Sequence, residues 1–192
     1  SGELWRSPYT LDGRDVAATS VAIDGKKDVI VTGRQWNGSD FDALTVKYNG
    51  QTGVELWRHR LNRPGPDDFV LDLGVDSLNN IYLGGHTKVN NSYDDMLLVK
   101  YAPGGPDLFG DPLWLKTWDG AAEKHDRIIA LGVGSNGLAV TGESQTAAGD
   151  YDCLTLKYAF DGTLVWSAER RYTDSNNGRG LDTAVDAAGN VI

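Results

Sequence analysis

Gln51-Thr52-Gly53-Val54-Glu55-Leu56-Trp57 is the stretch on which the fold is read. A glycine suited to a turn precedes an apolar-tryptophan pair, and the chain repeats that arrangement. Gly2-Glu3-Leu4-Trp5, Pro112-Leu113-Trp114 and Gly162-Thr163-Leu164-Val165-Trp166 are the other copies, with tryptophans 52, 57 and 52 residues apart along the series. Short strand-like units of this period cannot bury their apolar faces alone, so neighbouring units must cover one another. That is the signature of a propeller or another β array.

Moving outward from Trp57, three further segments recur in phase. The first ends in Val21-Ala22-Ile23-Asp24, Leu73-Gly74-Val75-Asp76, Leu131-Gly132-Val133-Gly134 or Thr183-Ala184-Val185-Asp186. A Gly/Asn-rich turn follows, of the kind that tolerates positive φ. The second segment ends in glycine, as in Val29-Ile30-Val31-Thr32-Gly33, Ile81-Tyr82-Leu83-Gly84-Gly85 and Leu138-Ala139-Val140-Thr141-Gly142. The third closes on Lys-Tyr, at Lys47-Tyr48, Lys100-Tyr101 and Lys157-Tyr158. β-branched and aromatic residues dominate, and no helical period competes with them.

The expected fold is all-β: a β-propeller of four-stranded antiparallel blades, about 52–58 residues per repeat. Blades are expected over 15–62, 68–118 and 126–172, a partial one over 178–192, and residues 1–9 in a preceding blade. The chain opens in a fourth strand and stops within a second, which points to a fragment of a seven- or eight-bladed propeller rather than a closed four-bladed ring. The remaining blades or a neighbouring subunit are expected to complete the terminal ones.

The formal net charge of −9 argues against nucleic acid and anionic membranes as partners, both of which need basic patches. No apolar run reaches the length of a membrane span. A single cysteine, Cys153, excludes an intrachain disulfide and reads as a small buried hydrophobe.

Asp40-Phe41-Asp42-Ala43-Leu44-Thr45-Val46-Lys47-Tyr48, the two Val-Thr-Gly triplets and Ala184-Val185-Asp186-Ala187-Ala188-Gly189-Asn190-Val191 resemble the bacterial and archaeal SBBP β-propeller repeat family. The resemblance runs along essentially the whole chain. It implies a secreted, cell-surface or periplasmic protein and brings no shared catalytic residues. Gly134, Gly84 and the expanded Ala102–Asp111 loop depart from the pattern. A second likeness is confined to residues 51–57, which resemble the Thr-Gly-x-x-x-Trp docking motif of quinoprotein propellers. That family implies pyrroloquinoline quinone and a metal, but only one repeat here carries the motif.

Residues fixed between repeats are explained most simply by the fold. The tryptophans are expected to pack between blades, and Lys47, Lys100 and Lys157 to lay their stems on apolar surface and pair with carboxylates. Asp40 with Asp42, Asp94 with Asp95, and Asp150 with Asp152 are the candidate calcium ligands, with turn capping as the competing role. No other cofactor is expected. Positions that vary within a constant framework point to ligand contact: Arg34, His86 and Glu143 after the second segment, with Trp36 and Asn90-Asn91 on the same rim. No zinc-type histidine pairing, nucleophile elbow or phosphate loop is present. The expected function is a non-enzymatic extracellular binding or structural surface module for a protein or glycan. The alternative is a quinoprotein-like oxidoreductase.

Overall fold

A computed structural model describes residues 2–9, 14–63, 65, 67–89, 93–107, 110–171 and 178–192. Its strands form three four-stranded antiparallel sheets, each in sequence order from the inside out. Blade 1 holds β1 (Val16–Ile23), β2 (Val29–Trp36), β3 (Phe41–Tyr48) and β4 (Glu55–Leu61). Blade 2 holds β5 (Asp68–Val75), β6 (Ile81–Val89), β7 (Tyr93–Tyr101) and β8 (Trp114–Trp118). Blade 3 holds β9 (Asp126–Val133), β10 (Leu138–Gln145), β11 (Tyr151–Tyr158) and β12 (Leu164–Arg170). Among the described residues there is no helix, hence none long and apolar enough to cross a membrane. The fold is that of propeller blades.

The core lies between blades. Ile30, Ala43 and Leu61 of blade 1 pack with Leu73, Ile81, Leu83, Leu97 and Val99 of blade 2. The alternate residues Tyr82, Met96 and Leu98 turn the other way, against Ile128, Val140, Leu154 and Leu156 of blade 3. Blade 2 is therefore covered on both faces, which is why its inner strands are continuously apolar.

The tryptophans lock this stack. A Cβ on Gly53 would lie 2.7 Å from the Trp5 ring, one on Gly105 2.8 Å from Trp57, and one on Gly162 3.2 Å from Trp114. Each tryptophan thus rests on the turn glycine of the following blade. Trp5 Nε1 donates to Gly50 O at 2.9 Å, and Trp114 Nε1 to Phe160 O at 3.2 Å. Trp166 departs from the expectation. It is 38% exposed, and among the described residues no turn glycine lies against its ring as one does for Trp5, Trp57 and Trp114.

The lysines also depart from a uniform pairing. Lys47 Nζ reaches a carboxylate, as expected of all three, in Asp24 at 2.6 Å. Lys100 instead donates to Phe160 O at 2.8 Å, because Asp76 is already taken by Asn80 and the Tyr82 hydroxyl. Lys157 donates to Gly189 O, since blade 3 has Gly134 where the others carry that aspartate. Cys153 is only half-buried, on the face of blade 3 turned toward residues 180–192.

Near the axis Asp72 ties three blades together. It accepts Ser20 Oγ at 2.9 Å from blade 1 and the Leu131 amide at 2.8 Å from blade 3. Residues 184–192 begin another hairpin, with a bridge between Val185 and Val191. Residues 2–9 form no strand, and Trp5 and Tyr9 cover Leu44, Val46 and Tyr48 on the outer face of blade 1.

Trp57→Ala is expected to cost about 3 kcal/mol, the lower end for truncating a packed aromatic. Trp166→Ala should cost less than about 1 kcal/mol, as at an exposed site. Urea unfolding of the two variants checks the contrast, and equal losses would contradict the docking role.

Candidate functional site

Each second strand ends where the first strand of its blade begins, so both meet at one end of the molecule. The register pairs Arg34 with Ala17, His86 with Phe69, and Glu143 with Arg127. The residue just before each is glycine for a steric reason. A Cβ on Gly33, Gly85 or Gly142 would fall within 2.0 Å of the first-strand carbonyl of Ala17, Phe69 or Arg127. β-bulges at Ala18/Ser20 and Val70/Asp72, and in β9 opposite Thr141/Gly142, bend the first strand at this point. A rigid frame thus presents side chains that differ from blade to blade.

Between blades 1 and 2 those side chains are aromatic. The Arg34 guanidinium is exposed and lies 4.9 Å from the Phe41 ring centre and 5.5 Å from that of Phe69. Trp36 meets Phe41 edge-on at 5.0 Å. Phe41 and Phe69 are 5.9 Å apart, and Phe69 continues to His86 at 5.0 Å. The result is a cation held over an aromatic floor.

Between blades 2 and 3 the same positions are ionic. Arg127 Nη2 lies 2.5 Å from Asp94 and Nη1 3.1 Å from Glu143. Glu143, 2% exposed, also receives Arg179 Nε at 2.6 Å. His125 Nδ1 lies 3.1 Å from Asp94. Burial works against charge on Asp94, yet bonding to Arg127 and the surrounding positive charges hold its carboxyl below the usual range. Burial drives the His86 imidazole down to about 4 despite the nearby Asp94, and its Nδ1 is buried without a hydrogen-bond partner. With His86 neutral, two arginines balance two carboxylates.

Residues 56–91 match the family described as SBBP, beta-propeller repeat. Over that span the chain is similar to an SBBP β-propeller repeat. The match runs from the Trp57 strand through the crossover into β6, so the matched span contains Phe69 and His86 of the row above. Among solved structures, rhamnogalacturonan lyase YesW is similar at 18% identity over 84% of this chain, with a TM-score of 0.46. The chain spans 35% of the length of that structure. No curated protein matches the chain.

The blade framework separates the paired aspartates. Asp40 and Asp42 both contact Asn37, and Asp42 faces Arg60 Nε at 3.3 Å. Asp94 points to Arg127, whereas Asp95 takes the opposite face, where burial and then the charges of Asp119 and Asp126 push its carboxyl up to about 6. Asp150 is exposed and Asp152 is buried. No group of three or more metal-binding side chains is gathered among the described residues. Asn90-Asn91 lies outside the described residues. The Thr52-Gly53 pair is engaged in its turn: Thr52 Oγ1 donates to Asn49 and Gly53 lies under Trp5.

The rim residues Arg34, Trp36 and His86 come together as one row, and Glu143 joins through Arg127. Sequence reasoning missed Phe41, Phe69, His125, Arg127 and Arg179. For Phe69, Arg127 and Arg179 a signal was available: with Ala17 they occupy one repeat position with unlike side chains.

His86 and Asp95 predict opposite pH effects. The His86 pKa is lower folded than unfolded, so its contribution is present above about 6.5 and is lost as pH falls toward about 4. Asp95 is raised, so its contribution is present below about 3.9 and is lost as pH rises through about 6. His86→Gln should therefore gain stability relative to the parent at pH 4.5 more than at pH 7.5, and Asp95→Asn the reverse. Urea midpoints at those two conditions decide it.

Proposed function

We propose that this chain is a non-enzymatic extracellular, cell-surface or periplasmic propeller module that binds a protein or glycan through the loop-bearing mouth. The observation that carries the reading is segregation. The repeated tryptophans, lysines and turn residues build the blade interfaces and the opposite end, whereas unlike side chains gather at the mouth. Arg34 above Phe41 and Phe69, with Trp36 beside them, offers a cation and aromatic faces to a carboxylate, a sugar ring or an aromatic group. The Asp94–Arg127–Glu143–Arg179 network is internally balanced and serves to fix the adjoining wall.

The exposed strand β12 and Trp166 support a second part of the proposal: further blades or a neighbouring subunit cover that face. The quinoprotein-like alternative rests on residues 51–57, whose contacts are those of blade docking.

Immobilised chain screened against glycan and extracellular-protein arrays tests the reading. A bound partner should lose about tenfold or more in affinity with Arg34→Ala and Trp36→Ala combined, about 1.4 kcal/mol. Leu78→Ala, on an exposed turn at the other end, should leave binding unchanged. Partner binding indifferent to Arg34 and Trp36, or substrate turnover by the purified chain, would overturn it. Addition of pyrroloquinoline quinone with calcium tests the alternative by absorbance. Calcium alone tests Asp40 and Asp42 through the unfolding midpoint.

A further inference from the structure

A cleft of about 610 Å³ opens between the end of β8 and the outer strands of blade 3. Trp118 and Ser144 line it with Asp150, Asp152, Glu169 and Arg171. It lies on the blade-2-facing side of blade 3, where Leu154 marks the edge of the shared core. The Arg34–Phe69 row belongs to the neighbouring interface, so the two surfaces are separate.

The chain itself shows what fits there, because the preceding interface has the same parts. In the crossover from β4 to β5, the Arg63 amide donates to Asp68 Oδ2 at 3.2 Å. In the crossover from β8 to β9, the Gly120 amide donates to Asp126 Oδ2 at 2.7 Å. Arg63 and Gly120 therefore hold the same station. The paired strands agree: Thr87 stands opposite Asp95 in blade 2, and Ser144 opposite Asp152 in blade 3. In blade 2 the Arg63 charge acts favourably on both Asp68 and Asp95 at longer range, and its Nη1 is buried without a hydrogen-bond partner. In blade 3 there is no side chain at that station, and Ala121 and Ala122 follow.

What the missing arginine leaves behind is acidic and under-bonded. Asp152 is 4% exposed and Asp126 1%, yet Asp152 Oδ2 and Asp126 Oδ1 accept no hydrogen bond. Arg171 approaches Asp152 Oδ2 only to 3.5 Å and Glu169 to 3.7 Å, with 74% of its own side chain in solvent. A buried carboxylate oxygen without a donor is costly, and a planar guanidinium satisfies such oxygens better than a point ammonium does. The volume falls in the range of small-ligand sites. The lining sets three carboxylates against one guanidinium, and the whole chain carries −9.

From this we infer that the cleft receives the guanidinium of an arginine side chain presented by a protein partner, in the place that Arg63 fills between blades 1 and 2.

Titration of the full chain with N-acetyl-arginine amide, followed through backbone amide resonances, tests this. Saturable shifts are expected at Gly120–Ala122 and Ser144–Asp152, with none from the uncharged citrulline analogue and weaker binding of the lysine analogue. Glu169→Gln and Asp152→Asn should each weaken binding about tenfold, the size of one charge-assisted hydrogen bond. Gly120→Arg supplies the blade 2 side chain and should abolish binding. Its Cβ would start 2.9 Å from Ser144 Oγ, so Glu169→Gln on the exposed strand is the variant that leaves packing intact. The combined Arg34→Ala and Trp36→Ala variant should still bind the amide, which separates this inference from the mouth. Absence of saturable shifts at the cleft, equal binding of citrulline or lysine amide, or indifference to both carboxylate variants would overturn it.

Discussion

A tryptophan of one blade resting on a turn glycine of the next is the contact on which the rest of the structure depends. Trp5 on Gly53, Trp57 on Gly105 and Trp114 on Gly162 set the spacing of successive blades. The glycines carry φ values of +69°, +93° and +84°, so any side chain there would be strained as well as obstructive. The carbonyl beside the glycine is a second fastening point. Phe160 O accepts from both Trp114 Nε1 and Lys100 Nζ, and Pro103 O accepts Lys47 Nζ at 3.2 Å. One turn thus receives an apolar ring and a hydrogen-bond donor from the preceding blade. Directional bonds fix a register that non-directional burial between flat faces leaves loose.

That fastening is at the turn end, and it leaves the opposite end free to vary. There the constraint is the close passage of the first strand over Gly33, Gly85 and Gly142. Beyond those glycines nothing in the frame dictates chemistry. The interface of blades 1 and 2 is filled by Arg34, Phe41 and Phe69, while the next is filled by Asp94, Arg127 and Glu143. The ionic version is tolerable because every charge in it meets an opposite one, and removal of a single partner would strand a buried charge.

The blades were legible in the sequence because their landmarks answer to backbone and packing demands that recur in every repeat. Glycines sit where a Cβ would collide, and apolar runs where both faces are covered. Asp24 and Asp76 each cap a turn by accepting two amides, from Lys26 and Asp28 and from Leu78 and Asn80. Lys27 takes a positive φ of 66° within one such turn, a position where glycine or asparagine was the natural expectation. The mouth was legible in part. Arg34, His86 and Glu143 stand out as unlike residues after a constant glycine, but their partners lie on the next blade. Arg127 looks like an ordinary strand residue until the pairing of β9 with β10, and the packing of blade 3 on blade 2, bring it between Glu143 and Asp94. Lys157 and Trp166 were misread for a related reason: identity of sequence position does not supply a partner, and Lys157 meets Gly134 where the aspartate would be, while the contact of Trp166 needs the adjoining blade to provide its other half.

The same reasoning explains how near-identical blades come to differ in what they expose. Asp68 and Asp126 play one structural part, each holding the amide of the arriving crossover. The residue that carries that amide differs between the two interfaces. Arg63 places a guanidinium there, whose charge acts on Asp68 and Asp95, whereas Gly120 places no side chain there and a cleft opens beside the following Ala121 and Ala122. The crossover is the cheapest place for such a change, since its backbone bond to the aspartate is kept whichever residue is present. A position outside the repeated landmarks can thus set one blade interface apart from the next without altering the register of any strand.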